Sequence, residues 1–324
     1  MPVKNIIPGQ RVTKEKLERA RELRREMTLV ENILWQELRG NKLGVYQTER
    51  VSLKVDLHMH STYSDGVNSP TGLVEKARIL GLAALSLTDH DCLDGTEEFA
   101  GAAAREGIEV VAGVELSAEY KGKDLHILGY GIDERDDRLQ GMLRQFRDTR
   151  LQRGYKILEK LSKLGVKLDA AGVMAKSPEG SLGRPHIAEA LLEQGYIRTI
   201  SEAFNKYIGE NGPAYVKKYK LSPIDAIDYI HGAGGLAFLA HPAFYLQEME
   251  DLTALIELGF DGVETAHPKH SLSQREELER IADRYGLLIS GGSDFHGFDG
   301  KDTPMGEPEV PYRNFQTIMT RLGK

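Results

Sequence analysis

Two histidines stand two residues apart in the stretch Asp56-Leu57-His58-Met59-His60-Ser61-Thr62-Tyr63-Ser64-Asp65-Gly66. Residues 54–57 are typical of a short strand, and successive side chains of a strand alternate between its two faces. Both imidazoles therefore point to one side, and Asp65 follows on a turn rich in serine and glycine. Imidazole suits zinc, iron and manganese, and carboxylate suits harder ions. The spacing predicts the first part of a metal site, although two half-exposed histidines without a metal would show the same pattern.

Composition narrows the classes of protein to which the chain can belong. Its 324 residues suffice for one large α/β domain with an addition, or for two domains. A net charge of −7 disfavours a protein that mainly coats nucleic acid. The single cysteine, Cys92, excludes a disulfide framework and a cysteine-rich zinc module, so a metal must rest on His, Asp and Glu. We see neither a signal peptide nor a membrane-spanning apolar run, and we expect a cytoplasmic enzyme without a membrane partner.

Residues 1–50 differ from the rest of the chain. Apolar residues recur there at helical spacing among many Arg and Glu, and Thr28 followed by Glu31 fits a capping box. This pattern predicts two helices, at about 13–26 and 29–39. The phrase ARELRREMTLVENILWQELRGNKLG resembles the opening of a family of small endonuclease-like proteins related to very-short-patch repair nucleases, but the acidic catalytic part of such a nuclease does not follow. We expect a helical hairpin that packs or oligomerises, or one that is merely solvated, rather than a catalytic unit.

From Lys54 onward, short apolar runs alternate with helical patterns, as in βα units that form a parallel sheet or barrel. Strands are predicted at 54–58, 82–88, 109–116, 124–130, 235–240, 261–265 and 287–293. Helices are predicted between them near 70–80, 95–106, 249–258 and 273–285. The pattern therefore predicts an α/β fold, with a closed (β/α) barrel of fewer than eight units.

The alternation breaks once, between Tyr130 and Gly235. Helices are predicted there at about 134–164, 185–194, 200–208 and 222–232. Because this segment is too long for one crossover, we interpret it as an inserted helical subdomain. The expected organisation is an appendage at 1–50, a barrel formed by 51–133 with 234–324, and an insertion at 134–233.

Potential metal ligands follow the predicted strands, and the carboxyl ends of barrel strands form the active-site face. Nine residues share this placement: His58, His60, Asp65, His90, Glu115, His126, His241, Asp294 and His296. Each has an ordinary alternative: His126 could be a core histidine, Glu115 a carboxylate paired with a lysine, His90 part of a surface turn, and Asp294 a helix cap. Together they include six of the ten histidines, and chance explains such placement poorly.

The motifs HMHSTYSDG, LTDHD, GVELS, LHILGYG, AHP and SDFHG resemble, in order, those of the polymerase and histidinol phosphatase (PHP) family. The resemblance covers about residues 54–300. It implies a distorted (β/α)7 barrel that holds up to three divalent metal ions, Mn, Zn or Fe, and hydrolyses phosphoesters. By position, it implies three ligand sets: His58, His60, Glu115 and Asp294; Glu115, His126 and His241; and Asp65, His90 and His296.

The resemblance also implies a mechanism. Metal ions that share a carboxylate can hold a water and lower its pKa, so we expect a metal-bridging hydroxide that attacks phosphorus in line. Asp65 and Asp294 are the nearest candidates for proton handling at the leaving oxygen, and we count His241 with them as catalytic. Asp89 and Asp91 are expected to orient ligand imidazoles.

Substrate selection is expected from the insertion and the late loops. In GRPHIA, Arg184 offers a bidentate fork for phosphate and His186 a further donor, unless they are an exposed arginine and a capping histidine. This phrase resembles a PHP subgroup that includes 3′,5′-bisphosphonucleotide phosphatases and 5′–3′ exoribonucleases of short RNA. Tyr215 could stack on a base. His267 and His270 are expected near substrate phosphate, unless they belong to a solvated loop.

The leading hypothesis is a phosphoesterase that acts on nucleotides or on short RNA or DNA ends. A histidinol-phosphate phosphatase and a PHP module with a structural or partner-binding role remain alternatives. Residues 1–50 could instead recruit nucleic acid to the barrel. The sequence leaves open the metal identity, the exact substrate and the oligomeric state.

Overall fold

The computed structural model describes residues 53–175, 183–245, 249–298 and 303–324. The two helices predicted at about 13–26 and 29–39 lie outside these residues. Among the residues that are described, no helix is both long enough and apolar enough to cross a membrane.

The described residues form nine strands: β1 (Lys54–Asp56), β2 (Ala84–Leu85), β3 (Glu109–Val110), β4 (Gly113–Tyr120), β5 (Lys123–Tyr130), β6 (Leu236–Leu239), β7 (Gly262–Ala266), β8 (Leu288–Gly291) and β9 (Val310–Pro311). They pair into a four-stranded sheet with the order β3-β2-β1-β9 and a five-stranded sheet with the order β4-β5-β6-β7-β8. The predicted strand 109–116 is therefore two strands that belong to different sheets. The mixed α/β fold agrees with the prediction.

The expectation that all strands run parallel is wrong at β5, which pairs antiparallel with both β4 and β6. The reason is a two-residue turn, Lys121-Gly122, in which both residues have positive φ values, 49° and 81°. This backbone matches the right-handed twist of the flanking strands and is typical of tight hairpins. The sequence reaches β5 by a hairpin rather than by a helical crossover.

The two sheets meet at the carboxyl ends of their strands. Isolated parallel bridges pair Met59 with Phe295 and His90 with Glu115. These contacts bring the segments after β1 and β2 beside β8 and β4. The ends that carry potential metal ligands are thus neighbours, although no regular ladder joins the two sheets.

The described helices are α1 (Pro70–Leu80), α2 (Thr96–Glu106), α3 (Asp137–Lys163), α4 (Ala170–Ala175), α5 (Arg184–Glu193), α6 (Ile200–Ala203), α7 (Pro223–Gly232), α8 (Met249–Ile256), α9 (Leu272–Tyr285) and α10 (Tyr312–Arg321). Their ends follow from local chemistry. Ser69 caps α1 by accepting from Gly72 N, and Gly81, with φ of 71°, ends it. Ser271 and Gln274 form a capping box at the start of α9.

Three helical features depart from the prediction. The segment expected as one helix at 200–208 is the short helix α6 followed by a π-helical turn, Phe204–Ile208. Helices α4 and α10 were not predicted. Helix α10 follows β9 at the end of the chain, and Phe315 and Ile318 bury its apolar side in the sheet core.

A separate hydrophobic core supports the predicted helical insertion. Ile157 and Leu161 of α3 pack with Ile187 and Leu191 of α5 and other apolar residues of this segment. Helix α7, within the predicted range 134–233, packs instead against the core of the five-stranded sheet. The domain boundaries therefore stay a prediction.

Candidate metal centre and substrate cavity

The strand end after β1 carries two buried imidazoles. His58 and His60 are fully buried, and the Nε2 atoms of both lie 3.2 Å from Glu115 Oε2. Met59, between them, takes the other face and its backbone N–H donates to Thr88 Oγ1. The alternation of a strand thus delivers both rings to one carboxylate.

Asp89 fixes the loop that follows. Its carboxylate accepts hydrogen bonds from Ser61 N at 2.7 Å, from Ser61 Oγ at 2.6 Å and from Ser64 Oγ at 2.5 Å. These bonds hold the turn that presents Asp65. We expected Asp89 to orient a ligand imidazole. Its hydrogen bonds instead order the loop that carries Asp65.

Glu115, on β4, lies at the centre of five imidazoles. Its Oε2 lies 3.1 to 3.2 Å from ring nitrogens of His58, His60 and His90. Its Oε1 lies 2.8 Å from His126 Nδ1 and 3.1 Å from His241 Nε2. One carboxylate thus contacts five rings from four segments of the chain.

The structure brings the predicted ligands together in overlapping groups whose donor atoms lie within 4.8 Å of one another: His58, His60, Glu115 and Asp294; His60, Asp65, His90 and His296; and His90, Glu115 and His126. The first group is the first predicted set. The group around Asp65 and His296 contains the third predicted set and adds His60. His241 was predicted with Glu115 and His126, and both histidines contact Glu115 Oε1, at 3.1 and 2.8 Å.

Buried polar atoms test whether these residues suit a metal. His58 Nε2, His60 Nε2, His90 Nδ1 and Glu115 Oε2 are buried and make no hydrogen bond within the described part of the chain. An unsatisfied buried polar atom is costly, and a native structure rarely keeps several in one place. Lone pairs that converge on one point are what a cation requires. The donor set fits a centre of divalent metal ions.

Backbone strain concentrates at the same site. His241, with φ of 30°, and Asp294 and Asp91, both with φ of 51°, are three of the four non-glycine residues with positive φ among the residues described. Such conformations cost about 1 to 3 kcal/mol each and persist where the surrounding structure fixes them. The strain turns His241 and Asp294 toward the cluster.

The carboxylates and imidazoles shift one another's pKa values. Burial disfavours the charged form of Glu115, but the imidazoles of His90 and His126 outweigh it and hold its pKa well below the usual value. Burial opposes the charge on His60 too, yet Asp294 and Glu115 raise its pKa to about 10. Burial lowers the pKa of His90 to about 3. A metal ion that binds His60 must therefore displace a proton at neutral pH.

Sequence reasoning missed Glu264, which lies on β7 and is fully buried. Its Oε1 is 2.9 Å from His58 Nδ1, and its Oε2 accepts from His241 N at 2.7 Å. The available signal was the one charged side chain in the otherwise uncharged run Gly262–Ala266.

The structure places His267 and His270 away from the role expected for them. His267 is buried, and its Nε2 lies 3.3 Å from Asp294 Oδ2. His270 Nδ1 lies 2.8 Å from Thr265 O, and its Nε2 accepts from Ala243 N. Because these contacts occupy the ring nitrogens, neither imidazole is presented to substrate phosphate.

A cavity of about 270 Å³ opens beside the cluster. Its lining includes three of the predicted metal ligands, Asp65, His90 and His126. It also includes five cationic side chains, which we call the cationic wall: Arg150, Arg153, Arg184, Lys218 and Lys220. His186 and Phe204 also line the cavity. Arg184 and His186 therefore lie at this cavity, and their contact with substrate stays a prediction. His186 Nδ1 accepts from Gly183 N at 3.1 Å, which is the capping role given above as the alternative.

Tyr215 does not line this cavity. Its ring centroid lies 6.0 Å from Arg184 Cζ, and the Phe204 centroid lies 5.6 Å from the same atom. The guanidinium of Arg184 is thus held near two aromatic rings. Phe204, which the sequence analysis did not select, is the aromatic residue that reaches the cavity.

A family model described as the PHP domain matches residues 56–231. A 3′,5′-nucleoside bisphosphate phosphatase of Chromobacterium violaceum is 38% identical over 256 residues, which cover 76% of this chain and 90% of that protein. A 5′-3′ exoribonuclease of Haemophilus influenzae is 38% identical over 247 residues, which cover 75% and 90%. A solved structure from Bifidobacterium adolescentis, assigned as a metal-dependent phosphoesterase, is 32% identical with a TM-score of 0.75 and covers 83% of this chain and 96% of that one.

Proposed function

Because the chain belongs to the PHP domain family and is a metal-dependent phosphoesterase, we propose that it hydrolyses phosphate esters of nucleotides or of short oligonucleotide ends. One observation carries the proposal: residues of the metal-type cluster and of the cationic wall line a single cavity. The names of two relatives, a nucleoside bisphosphate phosphatase and an exoribonuclease, support the same substrate class.

Nine residues would hold up to three divalent ions, of Mn, Zn or Fe: His58, His60, Asp65, His90, Glu115, His126, His241, Asp294 and His296. Support comes from the buried unsatisfied nitrogens and from the shared carboxylate of Glu115. Divalent ions at such sites lower the pKa of water and neutralise charge on phosphoryl oxygens.

Asp65 is our candidate for proton handling near the leaving oxygen. Burial disfavours its charge, but His90 and His296 outweigh this effect and hold the pKa of its carboxyl well below the usual value, so Asp65 would have to accept a proton from water before passing one on. It lines the cavity, and its side chain is 34% exposed, whereas that of Asp294 is 14% exposed. Its Oδ1 lies 3.3 Å from His296 Nε2, which holds the carboxylate in place. Asp294 is packed against His267 and Lys269, so we assign it to ligation.

The cationic wall would bind phosphate, and its members differ in what already neutralises them. Arg150 and Lys218 each lie 3.0 Å from Asp91 Oδ2. Lys220 pairs with Asp124. The remaining two members of the wall are Arg153 and Arg184.

Arg153 and Arg184 have no carboxylate within 4 Å among the residues described. Arg153 is only 9% exposed; its Nε donates to Val216 O, and its Nη2 is buried without a hydrogen-bond partner in the described part of the chain. A buried guanidinium of this kind is suited to an anion, since charge-assisted bonds to phosphate satisfy several of its donors at once. We assign the pair to a phosphate other than the one that is hydrolysed.

Phe204 would stack on a base beside Arg184, in the role that the sequence suggested for Tyr215. The insertion would thereby read the nucleotide while the strand ends carry the metals. We also propose that the bridges Met59–Phe295 and His90–Glu115 complete a distorted (β/α)7 barrel. The role of residues 1–50 stays open.

The test is hydrolysis with added Mn²⁺ of AMP, 3′,5′-bisphosphoadenosine, a 5′-phosphorylated short RNA and histidinol phosphate, followed as phosphate release and, for the RNA, also as release of mononucleotide. We expect preference for the bisphosphate or the RNA, and loss of release with EDTA. His241→Ala should lose activity, because its ring lies 3.1 Å from Glu115. His231→Ala, at an exposed histidine paired with Asp261, is the matched control and should keep it.

Two outcomes would overturn the proposal. Preference for histidinol phosphate would move the chain to the alternative phosphatase activity, which no observation at the cavity favours. Absence of turnover on all four compounds, with Mn²⁺ bound, would favour a structural or partner-binding role.

A further inference from the structure

Glu264 and His267 form with His58 a further group whose donor atoms lie within 4.8 Å of one another. Each donor atom of these two side chains already has a hydrogen-bond partner, so we place them behind the candidate metal centre rather than in it. Both are at most 2% exposed, and neither lines the cavity. They come from β7 and the turn after it, and each contacts at least one of the nine proposed ligands.

The contacts of Glu264 fix the tautomer of His58. An ionised carboxylate only accepts hydrogen bonds, so His58 Nδ1, at 2.9 Å from Glu264 Oε1, carries the ring proton. The lone pair of His58 Nε2 is then directed at Glu115 Oε2, 3.2 Å away. The second oxygen of Glu264 accepts from the backbone N–H of His241. One side chain therefore sets two ligand-bearing segments.

The contacts of His267 act in the same way on Asp294. Lys269 N donates to His267 Nδ1 at 3.1 Å, so the ring proton of a neutral His267 lies on Nε2. That nitrogen donates to Asp294 Oδ2. Asp294 Oδ1 is left facing His60 Nε2, 3.2 Å away, on the side of the cluster.

From these contacts we infer that Glu264 and His267 are positioning residues of the metal centre, which set the tautomer of His58 and the orientation of Asp294. The inference rests on the proposed function, because it presumes that His58 and Asp294 bind metal. Substitution of a residue that hydrogen-bonds a metal ligand commonly weakens metal binding by about 10- to 100-fold. His267 was expected to contact substrate, and the geometry assigns it to this second role.

Glu264→Gln is the decisive variant because it keeps the shape and changes the hydrogen-bonding capacity. A glutamine has a single acceptor oxygen, and His241 N–H requires it. The amide NH₂ then faces His58 Nδ1, which must accept, so the ring proton moves to Nε2 and blocks ligation. To bind metal, the variant has to give up one of these two bonds.

The chain offers a matched control on the same strand segment. Asp261 Oδ2 lies 2.7 Å from His231 Nε2 and accepts from Ala237 N at 2.9 Å. Asp261→Asn therefore makes the same chemical change to a carboxylate that serves an imidazole and a backbone N–H. Because His231 is not part of the cluster, this change should leave metal binding unaltered.

The experiment is calorimetric titration of Mn²⁺ into EDTA-treated, dialysed full-length protein, with the unfolding of each metal-free variant measured in parallel. We expect the dissociation constant of at least one site to rise about 10-fold or more in Glu264→Gln and to stay within about threefold in Asp261→Asn. Equal affinity of Glu264→Gln and the parent would overturn the inference. If the parent itself binds no Mn²⁺, the proposed function fails with it, and that outcome is distinct.

A second pair of variants keeps the inference testable if Glu264→Gln does not fold. His267→Gln retains a donor at the position of Nε2, whereas His267→Leu has none and is of similar size. We expect His267→Gln to bind Mn²⁺ within about threefold of the parent and His267→Leu to bind about 10-fold more weakly. Equal affinities of these two variants would contradict the role of His267.

Discussion

The metal face and the cationic wall line the same cavity and are built in opposite ways. The metal face consists of imidazoles and carboxylates that follow β1, β2, β6 and β8 or lie within β4 and β5, and its hub, Glu115, is fully buried. The wall consists of long cationic side chains from α3, the start of α5 and the segment before α7. The first collects groups that bind cations, and the second collects cations that bind anions. A phosphoester with a second phosphate, as in the proposed function, would satisfy both.

The two regions also differ in how they are held. Rings of the metal face are fixed through Glu115, Glu264 and the strained backbone at His241. The wall is joined to that face through the buried carboxylate of Asp91, which pairs with Arg150 and Lys218, and through the backbone oxygen of His90, which accepts from Arg150 at 3.2 Å. We therefore expect the metal face to determine the rate of hydrolysis and the cationic wall to determine which substrate is preferred. Variants in each region should separate the two properties.

The largest effect is expected from Glu115→Gln. The neutral amide keeps the size of the side chain but removes the charge that five imidazoles contact. We expect kcat/KM to fall by about 1,000-fold or more on every substrate, because metal stabilisation of the transition state is worth several kcal/mol. Steady-state phosphate release and metal content after dialysis would measure it.

Glu119→Gln is the control for that change. Glu119 lies on the same strand and pairs with Lys217 at 2.9 Å, with its side chain 26% exposed. Its substitution should change kcat/KM by less than about threefold, since pairs of this kind contribute little. If Glu115→Gln retained parental activity, Glu115 would not be the hub of the metal face.

A smaller and selective effect is expected from Arg153→Met. Methionine replaces much of the apolar stem but removes the guanidinium that faces the cavity. We expect kcat/KM for 3′,5′-bisphosphoadenosine to fall by about 10- to 100-fold, because a charge-assisted hydrogen bond is worth about 1.5 to 3 kcal/mol. Activity on a substrate with one phosphate, such as p-nitrophenyl phosphate, should change by less than about threefold.

Arg147→Met is the matched control for Arg153→Met. Arg147 lies on the same helix, 43% exposed, and pairs with Asp94 rather than lining the cavity. It should leave both activities unchanged. An equal loss on both substrates in Arg153→Met would show that this arginine supports the site as a whole and does not select a second phosphate.

Much of the metal face could be predicted because short sequence patterns indicate where its residues lie. A spacing of two residues on a strand puts His58 and His60 on one face, and the carboxyl ends of neighbouring strands meet. The hairpin at Lys121-Gly122 was missed, although its positive φ angles are typical of such turns. Glu264 was missed because its function depends on His58, which is 206 positions away.

The cationic wall was harder to predict because no short sequence pattern distinguishes most of its residues from exposed ones. Arg184 and His186 were found through a short motif, but Arg153 lies within a long helix rich in arginine and resembles its solvated neighbours in sequence. Only the fold shows that Arg153 is 9% exposed and faces the cavity. The contacts of His267 and His270 likewise depend on which partners the turn after β7 meets.

The smallest effect is expected from Asp91→Asn, at a residue that connects the metal face with the cationic wall. Burial disfavours the charge on Asp91, but Lys218 and Arg150 outweigh it and lower its pKa from 3.8 to about 2. A carboxyl whose pKa is lower in the folded state stabilises the fold above its unfolded pKa, and this contribution disappears as pH falls toward the folded pKa. The shift corresponds to about 2 kcal/mol at neutral pH. Burial also lowers the pKa of Lys218. This unfavourable effect offsets part of the stabilisation by Asp91, so that its net contribution to the free energy of unfolding is about 1 to 2 kcal/mol.

Denaturant unfolding of the parent and of Asp91→Asn should therefore differ by about 1 to 2 kcal/mol at neutral pH, and the difference should shrink between about pH 4 and pH 2. Asp94→Asn removes an exposed carboxylate of the same loop, paired with Arg147, and should cost less than about 1 kcal/mol. A difference that persisted unchanged at pH 2 would mean that Asp91 acts through its shape and its bonds to Ser117 rather than through its charge. The two regions would then be joined by packing, and the cations of the wall would not need the metal face to hold them.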